Sequence, residues 1–209
     1  MIYPDTKLEE QLWKQGYDIV VGIDEVGRGP LAGPVAAGAV AFTKGCTVVE
    51  GVRDSKTLSM KQKNSLYDQI KNTVYGYGVG MVSEKEIDSL GIQQAVLKAM
   101  ILALRRVEEM VGKRADYLII DGANVELIDE YPIMKMSKGD LYHYSISCAS
   151  ILAKVDRDNL MIKCSREYPM YGFDRNMGYG TKEHLDALKK YGICDIHRRS
   201  FRPVAKYIN

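Results

Sequence analysis

Short apolar runs, each bounded by turn-forming residues, occur at four places along the chain and predict β-strands. They are DIVVGID (18–24), PVAAGAVAF (34–42), TVYGYGVGMV (73–82) and DYLIIDG (116–122). In the third run glycine alternates with larger residues, which is typical of a strand that other backbone approaches closely. The chain is therefore expected to contain a sheet with at least one tightly covered face.

Between these strands, apolar positions recur with helical spacing. Segment 59–72 opens with Ser59, and Gln62 follows three residues later, which is the capping-box signature of a helix start. Ser83 and Glu86 repeat this signature before the next apolar positions. Both pairs predict helices that begin immediately after the serine.

Two longer segments also have helical periodicity. Residues 92–112 are apolar almost all round at first and charged later, and they end at Gly112, so a largely buried helix is expected there. Residues 147–168 predict a second long helix. Beyond Pro169, a loop rich in glycine and aromatic residues precedes a short helix capped by Thr181. Strands interleaved with helices predict an α/β fold with a helical C-terminal end.

Composition limits what such a fold can be. The chain has 209 residues, of which 46% are hydrophobic, enough to bury one good core in one domain or in one domain with a small appendage. Lysine and arginine total 29 against 27 acidic residues, so the net charge is +2. A nucleic-acid partner would therefore have to be held by a local basic patch, because the overall charge is nearly balanced.

Targeting signals and cysteine spacing lead to one expectation about location. No apolar stretch approaches the ~18 residues that a membrane span needs, and the first residues have no signal-peptide core. The four cysteines lack CxxC spacing and fit reduced thiols: Cys46, Cys148, Cys164 and Cys194. We therefore expect a cytoplasmic protein with no membrane association.

Acidic residues lie where two of the predicted strands end. Asp24 ends the first apolar run and Asp121 ends the fourth. Ligand sites in open α/β sheets collect just outside strand ends, so the two carboxylates are expected to lie close together. Either acid alone would more often be a turn residue or a helix cap.

Two further acids can join this pair. Neighbouring residues on a strand point to opposite faces, so Glu25 can join Asp24 only if the strand breaks, and Gly27 and Gly29 would provide the break. Asp140 lies in a loop that approaches from another direction. Carboxylates brought together without a cation repel and raise one another's pKa, so the cluster predicts a divalent-ion site. Oxygen ligands favour Mg²⁺ or Mn²⁺.

Other chemistries fit the sequence less well. The glycine spacing around GIDEVGRG matches neither a dinucleotide-binding motif nor a Walker phosphate-binding motif. Only Cys194 and His197 have a separation typical of zinc ligands. Polar packing or phosphate contact is the alternative interpretation of the histidines.

Aromatic and basic residues alternate near the C-terminus and allow two interpretations. They are either core aromatics or a surface that stacks on bases and binds the backbone of a nucleic acid, and spacing does not decide between the two. The residues are Tyr168, Tyr171, Phe173 and Tyr179 among Arg166, Arg175 and Lys182.

Seven short segments, in order along nearly the whole chain, resemble those of the ribonuclease HII family, the type 2 ribonucleases H. They are DEVGRGPLAGPV (24–35), DSK (54–56), IIDG (119–122), KGD (138–140), ASILAKVDRD (149–158), YGFDRNMGYGT (171–181) and HRRSFRPV (197–204). Arg28 and Asp140 differ from the related ribonuclease HIII family, where lysine and glutamate are usual. The segment LYHYSISCAS (141–150) is bulkier and more aromatic than the family pattern.

The resemblance implies a fold, a division of the chain and a set of site residues. The fold is a ribonuclease H-like mixed sheet flanked by helices, with a catalytic domain over 1–165 and a helical extension over 166–209 that closes over the substrate. The implied catalytic and metal-binding residues are Asp24, Glu25, Asp121 and Asp140. The implied substrate contacts are the backbone of Gly27, Arg28 and Gly29, a stacking ring at Tyr179, and phosphate contacts from Lys56 and Lys154.

The activity implied is hydrolysis of the RNA strand of RNA–DNA hybrids and incision on the 5′ side of single ribonucleotides in duplex DNA. The four acids would hold two Mg²⁺ or Mn²⁺ ions, and the products would carry 3′-hydroxyl and 5′-phosphate ends. A monomer is expected, and no clamp-binding peptide follows Pro203. Two rival functions stay open: a hybrid-binding module without catalysis, and a junction-cutting nuclease on the same fold.

Overall fold

The computed structural model describes residues 3–122 and 130–208. Its strands are β1 (Val20–Val26), β2 (Val35–Phe42), β3 (Gly76–Val82), β4 (Tyr117–Asp121) and β5 (Ile133–Met136). They form one five-stranded sheet in the order β3-β2-β1-β4-β5 within these residues. Strands β1, β2 and β3 pair antiparallel, whereas β4 runs parallel to β1 and β5 parallel to β4. The predicted mixed α/β sheet is confirmed.

The helices flank this sheet or follow it. They are α1 (Lys7–Lys14), α2 (Met60–Thr73), α3 (Glu84–Leu90), α4 (Ile92–Val111), α5 (Gly139–Tyr142), α6 (Tyr144–Glu167), α7 (Phe173–Asn176), α8 (Lys182–Tyr191) and α9 (Arg202–Ala205). None of those in the described ranges has the length and hydropathy needed to cross a membrane. Both predicted capping boxes are present, at Ser59 with Gln62 and at Ser83 with Glu86.

Helix α4 covers one face of the sheet. Gly78 and Gly80 of β3 make this possible, because a Cβ on either residue would collide with the carbonyl of Ala103 or of Ala99 in the helix. The close approach of other backbone to this strand, predicted from its alternating glycines, is confirmed. Helix α4 stops at Gly112, whose left-handed backbone conformation ends it as predicted.

Helix α6 covers the opposite face. Gly22 and Gly38 lie so close to it that a Cβ would collide with Ser145 or with the carbonyl of Ala149. The helix begins three residues before the predicted segment because α1 supplies a partner for its first turn. Glu9 accepts a hydrogen bond from the Ser145 N–H at 3.0 Å, which satisfies a donor that a helix start leaves free.

The C-terminal helices pack against the loop that follows β1. Leu31 and Ala32 of this loop belong to one hydrophobic cluster with Phe173, Leu188 and Val204. Thr181 caps α8 by accepting a hydrogen bond from the His184 N–H, as predicted. The loop that carries Gly27 to Gly29 and the C-terminal segment are therefore parts of one packed unit.

Several elements were not predicted from the sequence: helix α1, strand β5, and the four-residue helices α5 and α7, which lie in segments predicted as loops. In α1 Leu12 is fully buried and the partly buried Leu8 and Trp13 pack in the same cluster, so its apolar stripe is only about two turns long. Strand β5 lies at the sheet edge and has no fully buried residue, so its sequence IMKM lacks the signature of a core strand. Helix α1 packs on the sheet at β1, and β5 is held by its pairing with β4.

Candidate active site

Three aspartates from separate elements meet at one end of the sheet. Asp24 lies in β1, and Asp121 ends the adjacent parallel strand β4, whose register pairs Ile120 with Ile23. Asp140 lies in the first turn of α5. One carboxylate oxygen from each of the three lies within 4.8 Å of the other two. The two strand ends and helix α5, which forms where a loop was predicted for Asp140, thus bring together three of the four predicted acids in one cluster.

Glu25 lies beside this cluster, by a different route from the one expected. Strand β1 does not break after Asp24 but continues to Val26, with Glu25 paired opposite Ala37. Glu25 nevertheless lines the same cavity, and its carboxylate is close enough to Asp121 for that charge to raise its pKa. It also forms an ion pair with Arg28, at 3.2 Å between Oε1 and Nη1. The break predicted at the glycines begins only after Val26.

Burial and mutual repulsion govern the ionisation of the cluster. Burial raises the pKa of Asp24 well above its usual range, and the charge of Glu25 raises it further, against the effect of a Ser150 hydrogen bond. Burial also raises the pKa of Glu25, with Arg28 opposing the shift. The pKa of Asp140 is raised by burial and lowered in part by Lys56. The acids therefore carry negative charge at a cost that a bound cation would remove.

The donor set fits a hard divalent cation. All the convergent ligands are carboxylate oxygens, which suit Mg²⁺, Mn²⁺ or Ca²⁺ and do not favour zinc. Among the residues that the structure describes, Asp24, Asp121 and Asp140 are the group with metal-ligand spacing. For zinc, the weaker alternative from the sequence, Sγ of Cys194 and Nδ1 of His197 lie 3.1 Å apart, but no third ligand joins them among the described residues.

Two predicted lysines line the same cavity, which has a volume of about 340 Å³. Lys56 is exposed and pairs with Asp140, at 3.4 Å between Nζ and Oδ2. Lys154 is mostly buried, and its Nζ lies 2.7 Å from Oδ1 of the buried Asp158, one helical turn further along α6. Asp158, which sequence reasoning missed, therefore fixes the direction in which Lys154 enters the cavity.

The aromatic residues of the C-terminal segment divide between core and surface. Tyr171 and Phe173 are buried and stack on each other, with ring centroids 5.3 Å apart. Tyr179 is 42% exposed and lines the acidic cavity. The core interpretation is therefore confirmed for Tyr171 and Phe173, and stacking on a nucleic acid stays a prediction for Tyr179.

Comparison with known proteins agrees with this geometry. The family model of ribonuclease HII matches residues 21–204. The chain belongs to the ribonuclease HII family. It is 43% identical to the ribonuclease HII of Geobacillus sp. (strain WCH70) over 203 residues, which cover 97% of this chain and 71% of the relative.

Solved structures give the same fold. The ribonuclease H2 of Pyrococcus horikoshii OT3 is 27% identical, with a TM-score of 0.75 over 90% of this chain and 96% of that one. Bst-RNase HIII in complex with Mn²⁺ has a TM-score of 0.68 at 18% identity, over 91% of this chain and 69% of that one, which is a likeness of fold. As a ribonuclease HII, the protein is a metal-dependent endoribonuclease of the class that hydrolyses the RNA strand of RNA–DNA hybrids.

The glycine–arginine–glycine segment of this ribonuclease HII directly follows Val26, which lines the acidic cavity. Gly27 has a positive φ of 89°, and a Cβ on it would collide with the guanidinium of Arg157. Gly29 lies beside Tyr179: a Cβ at this position would lie 3.8 Å from the ring atom Cε1. No hydrogen bond in the described ranges uses the N–H of Arg28 or of Gly29. These two donors remain available to a ligand.

The histidines near the C-terminus form a hydrogen-bonded chain. The Cys194 N–H donates to Nδ1 of His197 at 2.9 Å, so His197 carries its proton on Nε2 and donates to Nε2 of His184 at 3.0 Å. His184 therefore donates from Nδ1 to the carbonyl of Tyr179 at 2.9 Å. Burial raises the pKa of the Cys194 thiol to about 12, which keeps it neutral. Polar packing is thus the role of this group.

Proposed function

We propose that this ribonuclease HII incises on the 5′ side of single ribonucleotides in duplex DNA as well as cutting RNA–DNA hybrids. The observation that carries the proposal is one cavity in which the convergent carboxylates of Asp24, Asp121 and Asp140 lie beside Lys154 and Tyr179. Such a site combines a place for cations, a contact for phosphate and a ring for stacking.

The four acids have the role of metal ligands in this proposal. Asp24, Glu25, Asp121 and Asp140 would hold two Mg²⁺ or Mn²⁺ ions, and the Mn²⁺ complex of the ribonuclease HIII of similar fold supports the choice of metal. When bound, such ions supply a hydroxide nucleophile and stabilise the leaving 3′-oxygen, which yields 3′-hydroxyl and 5′-phosphate ends. The acids themselves fix where the scissile phosphate can lie.

Basic side chains orient the phosphodiester backbone. The ion pair with Asp158 orients the Lys154 side chain, which lines the cavity. Its ammonium group would contact a phosphate near the acids. Lys56 pairs with Asp140 and would exchange that partner for phosphate when a cation neutralises the carboxylate. Arg28 would exchange Glu25 in the same way. Each contact supplies position and affinity and no sequence preference.

Backbone groups would detect the ribonucleotide. A single ribonucleotide differs from its neighbours by one 2′-hydroxyl, which both donates and accepts hydrogen bonds. The unpaired N–H groups of Arg28 and Gly29 can donate to it. The carbonyls of Gly27 and Arg28 each accept one hydrogen bond from Arg198, and the second lone pair of each can accept from the 2′-hydroxyl. Tyr179 would stack against the adjacent sugar or base.

The C-terminal segment would close the site. We propose the division between a catalytic domain over 1–165 and a substrate-closing extension over 166–209, because the latter carries Tyr179 and packs on the loop after β1. The N–H of Leu31 donates to the carbonyl of Gly178 at 2.7 Å, so the two substrate-facing loops are joined directly. We propose a monomeric, cytoplasmic enzyme, consistent with four free cysteine thiols.

A cleavage assay with end-labelled duplexes tests the proposal. Three duplexes are compared in Mg²⁺ and in Mn²⁺: a long RNA–DNA hybrid, a DNA duplex with one ribonucleotide, and the all-DNA duplex. We expect cleavage of the first two, with incision 5′ of the single ribonucleotide, and no cleavage of the third. If the protein cuts the hybrid but does not cut the single-ribonucleotide duplex, the proposed recognition of the 2′-hydroxyl is contradicted. Cleavage of branched all-DNA substrates would indicate the rival junction-cutting activity.

A further inference from the structure

Two arginines lie completely buried behind the loop over residues 27–34. Arg157 comes from α6 and Arg198 from the segment between α8 and α9, and both side chains are inaccessible to solvent. Neither forms an ion pair with a carboxylate among the residues that the structure describes. Their hydrogen bonds go to backbone carbonyls. Buried charges normally have an acidic partner, so this arrangement needs a specific explanation.

Arg198 holds the loop from within. Its guanidinium donates to the carbonyl of Gly27 at 2.7 Å and of Arg28 at 2.9 Å. It also donates to the carbonyls of Gly33 at 2.9 Å and Pro34 at 3.0 Å. One side chain thus fixes both ends of the loop.

Arg157 joins this loop to the one that carries Tyr179. It donates to the carbonyls of Pro34 at 2.9 Å and Ala32 at 3.3 Å, and to the carbonyl of Met177 at 3.0 Å. Gly27 packs directly over the guanidinium, with 2.8 Å between a built Cβ and Cδ of Arg157. The separation of the two substrate-facing loops is therefore set by a planar group with fixed donor directions.

The electrostatic cost of this arrangement is visible in Arg198. Burial and the neighbouring charge of Arg157 lower the pKa of Arg198 to about 9. Each guanidinium also satisfies buried backbone carbonyls that would otherwise lack a donor. Because its donor directions are fixed, the same group also fixes the geometry of the loop that is proposed to face a phosphodiester backbone.

We propose that Arg157 and Arg198 are positioning residues that set the spacing between the 27–34 loop and Tyr179, and thereby the preference for a single ribonucleotide. This inference rests on the proposed function of the loop. A long hybrid offers many registers and many 2′-hydroxyl groups, so it tolerates a displaced loop. A single ribonucleotide offers one, so a displacement of about 1 Å is expected to cost 10- to 100-fold in rate.

The test compares two substrates with each variant. Arg198→Lys and Arg157→Lys keep a positive charge but lose the planar fork, and Arg199→Lys is the matched control because Arg199 is adjacent and exposed. The readout is the ratio of kcat/KM on the single-ribonucleotide duplex to kcat/KM on the long hybrid. This ratio is independent of the fraction of folded enzyme, because that fraction affects both substrates equally.

We expect the ratio to fall about tenfold or more in both variants and to stay at the wild-type value in the control. If a lysine variant does not fold, the glutamine variant at the same position replaces it, because its uncharged amide removes the buried charge and still donates to a carbonyl, and the same fall is expected. If the wild type incises the single-ribonucleotide duplex and the variants lose equal activity on both substrates, this inference is overturned while the proposed function stands. If the wild-type protein does not incise the single-ribonucleotide duplex, both the proposed function and this inference are overturned.

Discussion

Gly29 lies against Tyr179 without needing to be a glycine for the fold: a Cβ built on it would lie 3.8 Å from Cε1 of the ring, an ordinary contact distance. Gly27, two residues earlier, has a positive φ, and a Cβ there would collide with Arg157. The two glycines of the segment therefore have different constraints. Gly27 is needed for packing inside the protein, whereas Gly29 leaves room at the surface where substrate is proposed to bind.

Substitution of the two glycines should separate these constraints. We expect Gly29→Ala to keep the wild-type melting temperature and to lower kcat/KM on the single-ribonucleotide duplex, because the methyl group narrows the gap beside Tyr179. Gly27→Ala should instead lower the melting temperature, by strain and by collision with Arg157. Thermal unfolding followed by circular dichroism, with cleavage measured on the same preparations, distinguishes the two. A Gly29→Ala protein with full activity would contradict the proposed contact.

Asp121→Asn should weaken metal binding without lowering the stability of the metal-free protein. The charge of Asp121 raises the pKa of Asp24 and Glu25, so its removal relieves repulsion, and the metal-free variant should melt no lower than the wild type. The increase in melting temperature on adding Mg²⁺ or Mn²⁺ should be largely lost. We expect cleavage to fall at least about 100-fold, or about 2.7 kcal/mol of transition-state stabilisation.

Asp68→Asn is the matched control for this substitution, because Asp68 is exposed on α2, away from the cavity. It should leave both the metal-induced shift and the activity unchanged. A wild-type-sized shift in Asp121→Asn would exclude Asp121 as a ligand.

Tyr179→Ala should weaken substrate binding and leave the fold intact. The ring is 42% exposed, so its loss should change the melting temperature little. Loss of stacking is expected to cost about 1–3 kcal/mol, which appears mainly in KM. Tyr171→Ala is the contrasting variant, because Tyr171 is buried and stacks on Phe173, so its melting temperature should fall. Unchanged KM in Tyr179→Ala would leave the ring without a substrate role.

The paired histidines should make the protein less stable in acid. Burial lowers the pKa of His184, and burial with the charge of His184 lowers that of His197 to about 4. Because the unfolded chain has a pKa near 6.5, it binds more protons than the folded chain below that value. The stability from His197 is therefore complete above about pH 6.5 and is lost as pH falls towards about 4, on the order of 3 kcal/mol at most.

Other groups act on the same pH range and need a control. Protonation would place two N–H groups against each other between His184 and His197, near the charge of Glu183. Asp24 and Asp140, whose pKa values are raised, gain stability as pH falls and act in the opposite direction. Urea unfolding of wild type and His197→Gln between pH 7 and 4 isolates the histidine contribution. If the free energy of unfolding changes with pH in the same way in both proteins, the prediction is contradicted.

Local features of the fold could be predicted from the sequence because they depend on residues close together in the chain. A capping box such as that of Ser83 and Glu86 is complete within four residues, and Gly112 ends its helix by its own backbone conformation. The acids Asp24 and Asp121 were identified because each ends an apolar run. Sequence pattern and family resemblance therefore led to the same end of the sheet.

Distant contacts decided the rest. Asp116 and Asp121 flank the same strand, yet Asp116 accepts hydrogen bonds from the N–H groups of Asp18 and Ile19 at one end, whereas Asp121 joins the metal-ligand cluster at the other. Only the parallel pairing of β1 and β4 separates these two roles. The sequence likewise could not distinguish the buried Tyr171 from the exposed Tyr179.

The two buried arginines show the limit most clearly. In the sequence, Arg157 lies in a charged stretch of helix and Arg198 is one of two adjacent arginines, so both resemble surface residues. In the structure each is enclosed by carbonyls from a loop more than 100 positions away. A sequence determines which groups can donate, accept or carry charge, but burial depends on which surfaces the folded chain brings together. The tertiary structure therefore decided which arginines hold the 27–34 loop and the loop that carries Tyr179.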